Sequence, residues 1–178
     1  MSSTLQKSDL AQLAERAILG VMHGSVAELE AVVHPQATNR EAAAEPPATR
    51  GRGPAADLAT SSWLRSAYSD LTWTTEENVV DGDLVVTLGR MSGRHTGDFV
   101  VWTADGGIER VFVPTGRTFS VRHAHFQRIV DGRVAEHWAV RDDQGQAMQL
   151  GWVPPAQRFL IRCAVATRKA RRVLAGSA

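Results

Sequence analysis

The chain has 178 residues, 43% hydrophobic and 22% charged, with a formal net charge of +1. That describes one globular domain able to bury a real core. No apolar run approaches the roughly 20 residues that cross a bilayer. The first fifteen residues lack the basic-then-apolar order of a secretory signal, and the lone Cys163 excludes an internal disulfide, so a cytoplasmic location is expected.

Residues 9–22 are predicted as an amphipathic helix, because Leu10, Leu13, Ala17 and Met22 fall on one face and Ser8 or Asp9 can cap it. Gly24 ends it, and Ser25 opens a short second helix through Val33, with Pro35 just beyond. The Pro-, Gly- and Ala-rich stretch from Arg40 to Pro54 is predicted as a loop. Pro54 suits the first turn of a third helix over 55–68. After Asp70 the texture is that of strands, punctuated by turn signals at Asp81-Gly82-Asp83, Asp105-Gly106-Gly107, Pro114-Thr115-Gly116 and Asp131-Gly132. Helices followed by antiparallel strands predict an α+β layout.

After Pro154-Pro155 a further helix is predicted. From Val153 onward there are six basic residues and no acidic one, which leaves residues 1–152 with a net charge of −5. An acidic body gives no general attraction to nucleic acid, and no such partner is expected. The basic tail invites a membrane-contact reading, but packing on the body or a solvated tail is preferred. The chain divides into residues 1–152 and a basic helical extension, 153–178.

The segment HAHFQRIVDGRVAEHWAV, residues 123–140, carries three histidines around an Asp-Gly turn. Alternation puts His123, His125 and Gln127 on one face with Phe119, Val121 and Ile129, and puts His137 with Ala139 on the return strand. The pairing depends on the turn. A two-residue turn at Asp131-Gly132 sets His125 opposite Trp138; a three-residue loop starting at Val130 sets it opposite His137. Both are compatible with Asp-Gly. Arg128 and Glu136 lie on the other face, where a cross-strand pair is expected.

This hairpin resembles that of SnoaL-like polyketide cyclases of the NTF2-like superfamily, in the pattern His125, Arg128, Asp131, Gly132, Glu136, His137 and Trp138. Gly93 to Phe99 is similar to the family's Gly-x-His-Thr-Gly-x-Phe, Pro114 to Arg117 to its Pro-Thr-Gly-Arg turn, and Ala67 to Asp70 to the end of its third helix. The likeness covers about Leu10 to Gly151. It implies a cone of three helices on a curved antiparallel sheet, an apolar pocket, a homodimer and no cofactor. It also favours the three-residue loop. Two departures stand out. Thirteen residues, 100–112, occupy a place where the family has only a few, which predicts an extended hairpin at the pocket mouth or dimer surface. Ala139 stands where family cyclases carry the Asp that moves the substrate proton.

The expected chemistry is therefore cofactor-free proton transfer on a hydrophobic, polyketide-like molecule, with His125 as base or oxyanion donor and His123 and His137 orienting it. Asn39, Trp63, Phe119 and Ala139 are the candidate substrate contacts. A three-His metal site is weighed and set aside, since no carboxylate accompanies the imidazoles. The alternatives are a noncatalytic binding protein that has lost the family acid, or an epoxide-opening relative. The deciding feature is a carboxylate reaching the pocket from Asp57, Asp98 or the 100–112 segment.

Overall fold

Gln6, rather than Ser8 or Asp9, caps the first helix, and its backbone N–H donates to the Asp9 carboxylate at 3.2 Å. The computed structural model describes residues 6–177. Helix α1 (Lys7–His23) ends at Gly24 in the left-handed conformation. Helix α2 (Val26–Val32) starts at Ser25, whose hydroxyl accepts the Glu28 N–H. Helix α3 (Gly53–Ala67) carries Pro54 in its first turn, as expected.

The strands are β1 (Val33–Asn39), β2 (Tyr68–Asp81), β3 (Leu84–His95), β4 (Phe99–Trp102), β5 (Ile108–Phe112), β6 (Thr118–Val130) and β7 (Arg133–Arg141). Five of them form one sheet in the order β1-β7-β6-β3-β2. Helices α1 to α3 lie against it, with Ala14, Leu29, Val85 and Val134 in one apolar cluster and Ile18, Tyr68, Trp73 and Phe119 in another. This is the α+β layout that the sequence predicts, with three helices on one sheet as the family resemblance implies.

Three features depart from expectation. The sheet is mixed, because β1 runs parallel to β7. Its Pro35 hid it from a sequence-level reading, yet proline is tolerated on an edge strand, and β1 is one. The stretch from Arg40 to Pro54 contains two short 3₁₀ turns, Ala42–Ala44 and Pro47–Arg50. Helix α4 (Asp143–Leu150) follows β7 directly, with the Asp142 side chain accepting from Gly145 N–H at its start.

Segment 100–112 contributes most of a separate two-stranded sheet, β4 and β5, the extended hairpin expected there. Arg50 ties this hairpin to the α3 approach through the carbonyls of Thr103, Ala104 and Glu45. Helix α5 (Gln157–Gly176) packs across β5: Val111 N–H donates to Thr167 Oγ1 at 2.9 Å, and Arg171 donates to the carbonyls of Ile108 and Glu109 at 2.8 Å. Cys163 is buried beneath it, so the tail docks on the body.

One close approach prepares the site. Gly89 on β3 lies under the Trp73 indole, where a methyl group would overlap the ring and come 2.6 Å from the Thr74 carbonyl oxygen. The missing side chain lets Trp73 lie against His125, with ring centroids 5.0 Å apart and planes at 89°.

Candidate active site

The β6–β7 turn takes neither of the simple registers. Asp131 and Gly132 both have positive φ, 49° and 70°, as a two-residue turn requires, and Val130 pairs with Arg133. The register then shifts between Arg128 and Ile129, where Val134 and Glu136 pair but Ala135 does not. This is a β-bulge, which restores face parity. His125 therefore lies opposite Ala139, His123 opposite Arg141, and His137 opposite Gln127. The three-residue loop is not the one used. The expected grouping of faces survives by a different route.

His123, His125, Gln127 and His137 line a cavity of about 400 Å³ between the sheet and the helices, within the range of small-molecule sites. Phe126 and Trp138 stack on the outer face, centroids 5.2 Å apart, under the Arg40 guanidinium. The Arg128–Glu136 pair forms there too, at 3.6 Å.

A hydrogen-bonded chain sets the histidine tautomers. Asn39 Oδ1 accepts the Glu41 N–H at 3.0 Å, which orients its amide. His137 Nδ1, 3.3 Å from that oxygen, must donate to it, leaving Nε2 as an acceptor. His125 Nδ1 lies 2.9 Å from this Nε2 and is the donor. The lone pair of His125 then resides on Nε2, which has no hydrogen-bond partner. Burial pushes the pKa of His125 well below the ordinary imidazole range, with the neighbouring imidazoles adding to the effect. Burial and the Arg141 cation bring His123 and His137 down to about 4. All three are neutral near pH 7.

The other sequence candidates divide. Asn39 and Trp63 line the cavity, the Trp63 Nε1–H held by the Val100 carbonyl at 2.9 Å. Phe119 does not: it lies in the core edge-on to Tyr68, further along β6 than the cavity reaches. Ala139 is buried opposite His125 and is likewise absent from the cavity wall. His95 is fully buried against Trp152, with Nδ1 accepting from Thr115 N–H. Asp98 is exposed and does not line the cavity.

Carboxylates do reach the cavity. Asp57 on α3 and Glu45 between the 3₁₀ turns both line it. Sequence reasoning missed Glu45; the one hint is a charge set among alanines and prolines. Arg141 at the end of β7 was also missed. Its guanidinium lines the cavity and stands 4.0 Å from Glu41 and 3.8 Å from Asp143. Among the described residues, no three of His, Cys, Asp and Glu converge in a metal-holding arrangement. No helix among them is long and apolar enough to cross a membrane.

A family model described as SnoaL-like polyketide cyclase matches residues 11–150. The chain is 36% identical over 107 residues to the aklanonic acid methyl ester cyclase DnrD of Streptomyces peucetius, covering 58% of this chain and 67% of that one. It is 30% identical over 129 residues to the nogalonic acid methyl ester cyclase of Streptomyces nogalater, covering 72% and 87%. Among solved structures, TsrD from Streptomyces laurentii superposes with a TM-score of 0.65 at 30% identity, over 83% of this chain and 98% of that one.

Proposed function

The chain belongs to the SnoaL-like polyketide cyclase family, and from that premise we propose that it closes a ring in a polyketide methyl ester by proton transfer alone. The observation that carries this reading is the Nε2 of His125, unpartnered among the described residues, its lone pair fixed by the Asn39–His137–His125 chain and placed in the cavity. A neutral imidazole suits the acidic hydrogens of a polyketide carbon flanked by two carbonyls. His125 Nε2 takes that proton. The resulting carbanion attacks a ketone carbon of the same molecule; a C–C bond forms, the ketone π bond breaks, and its electron pair moves to oxygen, which is then protonated. The product has the composition of the substrate.

His137 positions His125, and the apolar walls from Trp63, Phe99 and Phe112 hold a ring system while excluding water. His123, unpartnered at both ring nitrogens, lies beside His125 and is available to the substrate. A purely ligand-binding role, left open by Ala139 alone, fits less well with relatives named as methyl ester cyclases. A cytoplasmic homodimer is part of the same proposal, and sedimentation equilibrium should return twice the 19.3 kDa chain mass; a monomer at micromolar concentration removes the dimer.

The cyclase reading is tested with aklanonic acid methyl ester and nogalonic acid methyl ester. In deuterated buffer the purified chain is expected to exchange hydrogens alpha to the carbonyls and to yield a ring-closed product with one ketone fewer. If neither ester is consumed and neither exchanges, the reading fails.

A further inference from the structure

We infer that Asp57, paired with Glu45, supplies the acid that Ala139 lacks, protonating the ketone oxygen from the helix side of the cavity while His125 works from the sheet side. This rests on the cyclase reading. It places the second catalytic group of the reaction on different elements from the hairpin to which the family resemblance assigns it.

Glu45 is 3% exposed and is anchored by the Thr60 hydroxyl, which donates to its Oε2 at 2.9 Å. Asn39, which orients His137, lines the same cavity as both carboxyls. Asp57 stands close enough to feel the Glu45 charge and makes no hydrogen bond to any described residue. Two interacting buried carboxyls share one proton. Burial raises Glu45 as well, but the Thr60 hydroxyl donates to its carboxylate, so Glu45 is the better anion and Asp57 holds the proton. Burial first, then Glu45, pushes Asp57 up to about 7, which keeps it a usable acid near neutrality.

A second observation marks this as a ligand site rather than an acidic cluster alone. His125 Nε2 and Gln127 Oε1 line the same cavity, belong to side chains more than nine-tenths buried, and have no partner among the described residues. Polar atoms left this way are satisfied by something that enters. The proton balance closes. His125 gains the carbon-bound proton, Asp57 loses its own to the new alkoxide, and after release the imidazolium returns one proton to the carboxyl pair through solvent.

The test separates the two half-steps with the same two esters in deuterated buffer. Asp57→Asn is expected to slow ring closure by about 10²–10⁴-fold while His125-dependent exchange alpha to the carbonyl continues. Asp57→Glu should recover part of the closure rate. His125→Gln should lose exchange and closure together. Closure at the wild-type rate in Asp57→Asn overturns the inference and leaves the cyclase reading intact. So does parallel loss of exchange and closure in a variant that urea unfolding shows to be at least as stable as the wild type, because that marks Asp57 as structural. A wild-type chain that neither exchanges nor closes sinks both.

Discussion

His125→Ala is expected to lower turnover of an accepted methyl ester by about 10²–10⁴-fold, with a much smaller change in KM. The base acts only as the carbon-bound proton leaves, so its loss falls on kcat; the walls that hold the rings are untouched. The chain Glu41 N–H to Asn39 to His137 to His125 has its only free lone pair at the far end, on His125 Nε2. Removing His125 leaves His137 Nε2 without its donor, on the return strand opposite Gln127 rather than at the place His125 Nε2 occupied. His125→Gln is the stricter variant, since its amide can still donate toward His137 and fill much of the same volume. Unchanged kcat in both, measured on folded protein, would rule out His125 as the base.

The second large effect concerns stability. Between pH 4 and pH 8, Asp57→Asn should gain stability relative to the wild type by up to about 4 kcal/mol. The folded Asp57 carboxyl sits near 7 against an ordinary 3.8. Below 3.8 it is protonated in both folded and unfolded chains and contributes no difference. Above 7 the folded protein must ionise a group that its surroundings prefer to keep neutral, and the unfolded chain carries no such cost. Asparagine never incurs it. The histidines work in the opposite sense. His123 and His137 fall from 6.5 to about 4 on folding, so their contribution is complete above 6.5 and is lost as pH drops toward 4, at about 3 kcal/mol each. In the wild type, Asp57 offsets part of that acid loss. In Asp57→Asn it cannot, and the stability profile should fall more steeply from pH 6.5 to 4. Urea unfolding at pH 4, 6 and 8 checks this; a difference between the proteins that stays constant across the three would refute it.

The inward face of the hairpin was legible because strand parity is insensitive to small errors elsewhere. His123, His125 and Gln127 had to share a side, and they do. The pairing was not legible, because Ala135 forms a bulge that no residue type announces, and it converts a two-residue turn into a register that neither simple loop predicts. Phe119 shows the limit of parity: it has the correct face but lies too far along β6, in the core. Asp57 could be named as a candidate, yet whether a helical side chain faces a cavity depends on how that helix packs. Glu45 sits in a stretch with no periodicity at all, and only the fold of the 3₁₀ turns brings it inward. The proline in β1 and the brevity of α4 concealed the two elements that carry Asn39 and Asp143.

Helix α5 bears on this chemistry from a distance. A two-stranded ribbon such as β4–β5 is poorly supported alone, with bare backbone donors and acceptors along its outer rim. Thr167 and Arg171 engage that rim at three places, and the same ribbon presents Phe99, Val101 and Phe112 to the chamber. The tail thus works as a splint on one wall of the chamber. Two relatives with the same imidazoles and different tails would run one reaction inside chambers of different contour, so selectivity can diverge without any change at the reacting centre.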